Sequence, residues 1–93
     1  MQSSQSFSCN KCVHFTYGFS NDEYLYLMVN KKYGKAPSRN LFKRRVRALF
    51  SELTEQYSDL NIGLMIKPLK QNVSFQDLVV CFNLLNKKIK EKH

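Results

Sequence analysis

A chain of 93 residues and 11.0 kDa is the length of one domain, with room for a single hydrophobic core. Its 43% apolar content, with five Tyr and seven Phe, excludes a disordered chain, and no apolar run approaches the ~18 residues of a membrane span. The charge is lopsided, with 15 Lys and Arg against 7 Asp and Glu for a formal net charge of +8, and the excess sits in residues 31–47.

The N-terminal stretch MQSSQSFS lacks the basic and apolar regions of a signal peptide, so residues 1–11 are expected to form a polar tail. Three cysteines, an odd number, fit a reducing compartment better than a disulfide framework. Cys9 and Cys12 make a C-x-x-C, with His14 nearby and Cys81 far along the chain. A zinc site needs a second pair of ligands at such spacing. Buried or half-buried thiols are therefore expected, with no metal.

Residues 12–17, CVHFTY, alternate as a strand does: Val13, Phe15 and Tyr17 share one face, and Cys12, His14 and Thr16 the other. GFSND supplies a turn cluster. EYLYLMV follows as a second strand, with Leu25, Leu27 and Val29 on one face and Tyr24, Tyr26 and Met28 on the other. A hairpin between the two strands is expected. Gly34 and Pro37 break the pattern. Pro37 disfavours helical geometry at Ala36, so a helix is expected after it, capped by Ser38.

Along 39–57, Phe42, Val46, Leu49, Phe50, Leu53 and Tyr57 fall on an arc of about 100°, the width of a buried stripe. Asn40, Lys43, Arg44 and Arg47 share an adjoining solvent-facing arc, and Arg45 lies on the other flank. NIGLMIKP is a third strand, ended by Pro68. Ser74 and Asp77 then form a capping box, with Val73 and Leu78 spaced as a hydrophobic staple. The last helix is expected from Phe75 to about Ile89, with Leu78, Phe82, Leu85 and Ile89 inward. The order is β-β-α-β-α, an α+β fold in which two helices cover one face of a small sheet and the other face is open. Residues 12–90 make up the folded part of a single domain spanning 1–93.

In KKYGKAPSRNLFKRRVR, residues 31–47, eight of seventeen positions are basic and none is acidic. A solvated surface is the ordinary fate of a charge run, but two features oppose it here. No interleaved acids offer i,i+4 partners. The cations also crowd the N-terminal half of the helix, where the macrodipole is already positive and each costs a few tenths of a kcal/mol. Phosphate compensates both, through free helical N–H groups and charge-assisted bonds to Arg and Lys. An anionic membrane is disfavoured as the partner, because the apolar stripe of the helix is needed by the sheet.

The segment NKKYGKAPSRNLFKRRVRALF resembles the protein subunit of bacterial ribonuclease P. The family's pattern K-K-x-G-x-A-x-x-R-N-x-x-K-R-x-x-R is filled by Lys31, Lys32, Gly34, Ala36, Arg39, Asn40, Lys43, Arg44 and Arg47, and the likeness extends over about residues 12–90. The resemblance implies a split β-α-β fold, like the second domain of a ribosomal protein, with a left-handed crossover. It implies an RNA-binding subunit of a cytoplasmic bacterial endoribonuclease that removes the 5′ leader from precursor tRNA. The partner is a catalytic RNA that carries the Mg²⁺ ions; the protein is expected to bind no cofactor and to lend no catalytic side chain. Lys31, Lys32, Lys35, Arg39, Asn40, Lys43, Arg44 and Arg47 are the expected RNA contacts. Phe15, with Tyr17, is the candidate for stacking on a leader base, and plain core packing is its equal alternative.

Three departures accompany the resemblance. Leu41 stands where the family often has a second Arg, and Pro37 where it has a β-branched residue. The family's N-terminal helix, one wall of the leader cleft, has no counterpart in residues 1–11, as expected of a shortened member or of a start upstream of Met1. Weak discrimination for the leader is the corresponding expectation. Among other functions, a self-contained nuclease lacks any acid-base or metal constellation, since His14 and His93 are the only histidines and the acids are scattered. A non-enzymatic RNA-binding module, such as a ribosomal or assembly protein, is the alternative; it would share the basic helix without needing this spacing. DNA binding is weaker, as no helix-turn-helix pair is evident.

Overall fold

The computed structural model describes residues 2–57 and 59–92. Its elements are β1 (Gln2–Cys9), β2 (Val13–Phe19), β3 (Tyr24–Leu27), a 3₁₀ turn (Lys31–Tyr33), α1 (Ala36–Glu55), β4 (Ile62–Pro68) and α2 (Phe75–Lys92). The four strands form one sheet in the order β1-β2-β4-β3. β1 and β4 each pair antiparallel with β2, whereas β3 and β4 run parallel and are joined through α1.

The expected polar tail is corrected: residues 2–9 are an edge strand. Serines and glutamines carry little strand propensity, and tertiary partners supply what propensity does not. Phe7 packs on Phe15, their ring centroids 5.3 Å apart, and Tyr17 donates a hydrogen bond to Gln5 Oε1 at 3.2 Å. Asn10 and Lys11, at φ 49° and 56°, are the central residues of the turn from Cys9 to Cys12, in the left-handed region that tight hairpin turns use, closed by the Cys12 N–H to Cys9 C=O bond at 2.8 Å.

That turn is the structural use of the C-x-x-C. It also aims Cys9 at Cys81, and the two form a disulfide with Cα atoms 5.7 Å apart. Cys12 stays a free, buried thiol. The expectation of unpaired thiols therefore fails for Cys9 and Cys81, because their proximity is created by packing α2 beside β1 across 72 residues of chain.

The hairpin expected between the second and third strands is also corrected, since β4 lies between them. β4 contributes seven residue pairs to β2, while β3 is only four residues long. The turn cluster is tied to the start of β4 by Ser20 N–H to Asn61 C=O (3.0 Å) and Asn61 Nδ2 to the Asn21 carbonyl (2.7 Å). Gly63 permits this arrangement, because a Cβ there would overlap the Tyr24 ring.

The helices occupy one face of the sheet. Val13, Phe15, Tyr17, Leu64 and Ile66 meet the expected α1 residues Phe42, Val46, Leu49, Phe50 and Leu53, and the α2 residues Leu78, Phe82, Leu85 and Ile89, all buried. Tyr57 is half-buried beside them and hydrogen-bonds to Asn86. Ser74 caps α2, its Oγ accepting from Asp77 N–H at 3.0 Å, with Val73 and Leu78 buried around the cap. α1 starts three residues earlier than expected, at Ala36 with Lys35 in the cap position. Pro37 lies within its first turn, where the missing N–H is no loss, and Ser38 makes no capping bond.

Candidate nucleic-acid interface

The basic segment is held out from the fold by its own local chemistry. Asn30 Oδ1 accepts from Lys32 N–H at 3.2 Å, fixing the 3₁₀ turn. Gly34, at φ 128°, then takes a conformation that side-chain-bearing residues rarely adopt, and the chain enters α1. Lys31, Lys32 and Lys35 are exposed along this entry, with the Lys32 ammonium 5.1 Å from the Tyr33 ring centre.

On α1, Asn40, Lys43, Arg44 and Arg47 come together, with Pro37 and Leu41, around one open depression. Asn40, Arg44 and Arg47 are exposed and Lys43 is half-buried. No acid stands in the first turn of α1. Among the described residues the one ion pair joins Lys70 to Asp77 at 3.6 Å, so no described acid compensates these cations. Three positive side chains, Lys43, Arg44 and Arg47, near a helix N-terminus create a field that draws in polyanions.

Arg39 separates from this group. It is half-buried on another side of α1, facing a cavity that it shares with Arg45 and Lys70. Sequence reasoning assigned no role to Arg45 or Lys70. Helical spacing alone places Arg45 near Ser38 and Phe42, but Lys70 is brought there by the end of β4.

Phe15 and Tyr17 are corrected as stacking candidates. They are 0% and 4% exposed, on the sheet face beneath the helices, where Phe15 meets Phe82 edge-on at 5.3 Å. Burial, and then the charge of Glu91, hold the Tyr17 phenol above its ordinary range, so it stays a neutral donor to Gln5.

Strand register assigns the opposite face. Ser8, His14 and Lys67 form one cross-strand row; Ser6, Thr16, Met65 and Tyr26 form the next. Tyr24 lies over Gly63. His14 Nδ1 and Ser8 Oγ are 2.9 Å apart. Tyr26 is 57% exposed and Met28 40%. An aromatic ring, a lysine and several hydroxyls on one open sheet face suit the bases and phosphates of a single strand. The alternation of EYLYLMV had already put Tyr24, Tyr26 and Met28 on one side.

A sequence model of the family described as Ribonuclease P matches residues 1–90. The chain is 43% identical over 67 residues to the ribonuclease P protein component of Phytoplasma australiense, covering 68% of this chain and 56% of that protein. It is 40% identical over 57 residues to the same component from onion yellows phytoplasma, covering 60% and 40%. The chain thus spans about half the length of these curated relatives. Its fold is similar to that of the RNase P protein from Thermotoga maritima, with a TM-score of 0.70 at 24% identity, covering 92% of this chain and 84% of the other. The same Thermotoga protein in complex with 1-(4-fluorophenyl)-2-thiourea matches with a TM-score of 0.69, covering 91% and 86%.

Proposed function

Because the chain belongs to the ribonuclease P family, we propose that it is an RNA-binding subunit that assists a catalytic RNA in removing the 5′ leader from precursor tRNA. The observation that carries this reading is the uncompensated basic surface from Lys31 to Arg47. Lys31, Lys32 and Lys35 on the entry loop, with Asn40, Lys43, Arg44 and Arg47 on α1, hold the RNA subunit through its phosphates. Arg39 adds a contact on its own side of the helix.

In this reading the chain supplies no catalytic side chain. Its work is electrostatic: neutralising phosphates lets RNA helices and substrate approach one another at lower Mg²⁺, and the Mg²⁺ ions belong to the RNA subunit. The leader strand crosses the open sheet face, with Tyr26 as a stacking platform and Lys67 as a phosphate partner. The site of action is the cytoplasm of a bacterium, where precursor tRNA is made.

Reconstitution tests the reading. The protein is added to a bacterial ribonuclease P RNA at low Mg²⁺, and cleavage of precursor tRNA is followed. A clear acceleration over the RNA alone is expected; no stimulation at any protein concentration overturns the proposal.

A further inference from the structure

The cavity beside Arg39 has a chemistry distinct from the exposed basic surface. It measures about 190 Å³ and lies where the N-terminal half of α1, the end of β4 and the start of α2 meet. Phe42, Pro68 and Val73, all buried, line its floor, and half-buried Tyr33 forms part of a wall. Arg39, Arg45 and Lys70 stand around it. No described acid lines it, and Asp77 lies 3.6 Å from the Lys70 ammonium. Both side chains are about half exposed (49% and 40%), so the pair is weak and screened.

Arg39 Nε is buried without a hydrogen-bond partner. A donor left in that state is costly, and buried donors in folded proteins are almost always satisfied. An anion seated among Arg39, Arg45 and Lys70 offsets that cost through the guanidinium charge. The Arg45 guanidinium lies over the Phe75 ring, 5.7 Å from its centre, which holds it in place without using its N–H groups. The first turn of α1, through Ser38 and Arg39, lines the same space, adding the positive end of its dipole.

Inorganic phosphate has no use for a floor of Phe42, Pro68 and Val73, and a purely apolar molecule leaves the charges of Arg39, Arg45 and Lys70 unanswered. At 190 Å³ the space is smaller than the roughly 300–1,000 Å³ of pockets for drug-sized ligands, so it admits one ring system and not two. We propose that this cavity seats a single nucleotide, its base against the apolar floor and Tyr33 and its phosphate on Arg39, Arg45 and Lys70. The chemistry is shared by a free nucleoside monophosphate and by an unpaired nucleotide of a bound RNA strand. Only this second source rests on the RNA-binding reading above.

The test uses the full chain without any RNA subunit, so its failure leaves the reconstitution result untouched. Adenosine 5′-monophosphate, an adenosine trinucleotide, adenosine and inorganic phosphate are titrated separately. Dissociation constants are read from amide NMR shifts, with movement expected at Val29, Val73 and Ser74. The monophosphate or the trinucleotide should bind about tenfold or more tighter than adenosine or phosphate alone. Arg45→Ala and Lys70→Ala should each weaken binding about tenfold, the loss of one charge-assisted hydrogen bond. Lys70 lies on an exposed loop, so its replacement keeps the test valid if Arg45→Ala unfolds the chain. Lys90→Ala, on exposed α2 surface, should change nothing. Binding of the trinucleotide identifies a nucleotide within a strand as the ligand, and binding of the monophosphate alone identifies the free nucleotide. Phosphate binding as tightly as the monophosphate, or Lys90→Ala weakening binding as much as Lys70→Ala, overturns the proposal.

Discussion

Tyr26 and Phe15 stand on opposite faces of the same sheet and show how one aromatic side chain can serve packing or recognition. Phe15 is fully buried, touching Phe7 and Phe82. Truncating such a ring costs about 3–5 kcal/mol, a large share of the ~5–15 kcal/mol that holds a domain together. Tyr26 is mostly exposed and lies outside the buried core. Tyr26→Ala is therefore expected to leave the melting temperature nearly unchanged while weakening single-stranded leader RNA by roughly 1–3 kcal/mol, the worth of one stacked base. Phe15→Ala should do the reverse, lowering stability steeply. Parallel melting and RNA titrations of the two variants check this, and loss of leader affinity in a still-folded Phe15→Ala protein would refute the assignment of faces. The period-2 pattern defined both faces correctly at this scale. What it left open was which face the helices would cover.

Elements owe their positions to contacts that no local pattern announces. β1 is polar in composition, yet its inward residues Gln5, Phe7 and Cys9 all find partners on β2 and α2. Its tie to α2 is the Cys9–Cys81 disulfide, which closes a loop of 72 residues. In the chain-entropy account a cross-link of that span restricts the unfolded state, with typical gains of ~2–4 kcal/mol. Reductant, or Cys81→Ser, should lower the urea midpoint by a corresponding amount while leaving the folded spectrum intact. An identical midpoint with and without reductant would mean that the bridge does not form in solution. α1 carries the opposite kind of feature. Its N-terminal half places cations against the helix dipole with no acid to offset them, a cost of a few tenths of a kcal/mol each that a bound polyanion removes.

For the whole molecule, the charge distribution sets the ionic behaviour of any RNA complex. If the surface from Lys31 to Arg47 neutralises about six phosphates, log K should fall against log salt with a slope on the order of −4 to −5. Arg44→Ala or Arg47→Ala should reduce that slope by about 1, with stability changing by no more than about 0.5 kcal/mol because both are exposed. Filter binding across a salt series, paired with thermal melts, measures both quantities. A slope near −1 would show the cations to be ordinary solvated surface.

The basic segment, the apolar stripes of both helices, the Ser74 cap and the alternation of two strands were legible because each depends on residues within a few turns or positions of one another. The strand order was not, since a turn cluster such as GFSND bends the chain without naming the partner that fills the space beside it. β4 took the centre because Ile62, Leu64 and Ile66 are fully buried and Gly63 accepts the Tyr24 ring on the other face. The Cys9–Cys81 bridge and the cavity of Arg39, Arg45 and Lys70 likewise join segments far apart in sequence. Periodicity and charge are local properties that a sequence displays directly. Proximity between distant side chains exists only after the helices have packed on the sheet, so tertiary structure alone decided it.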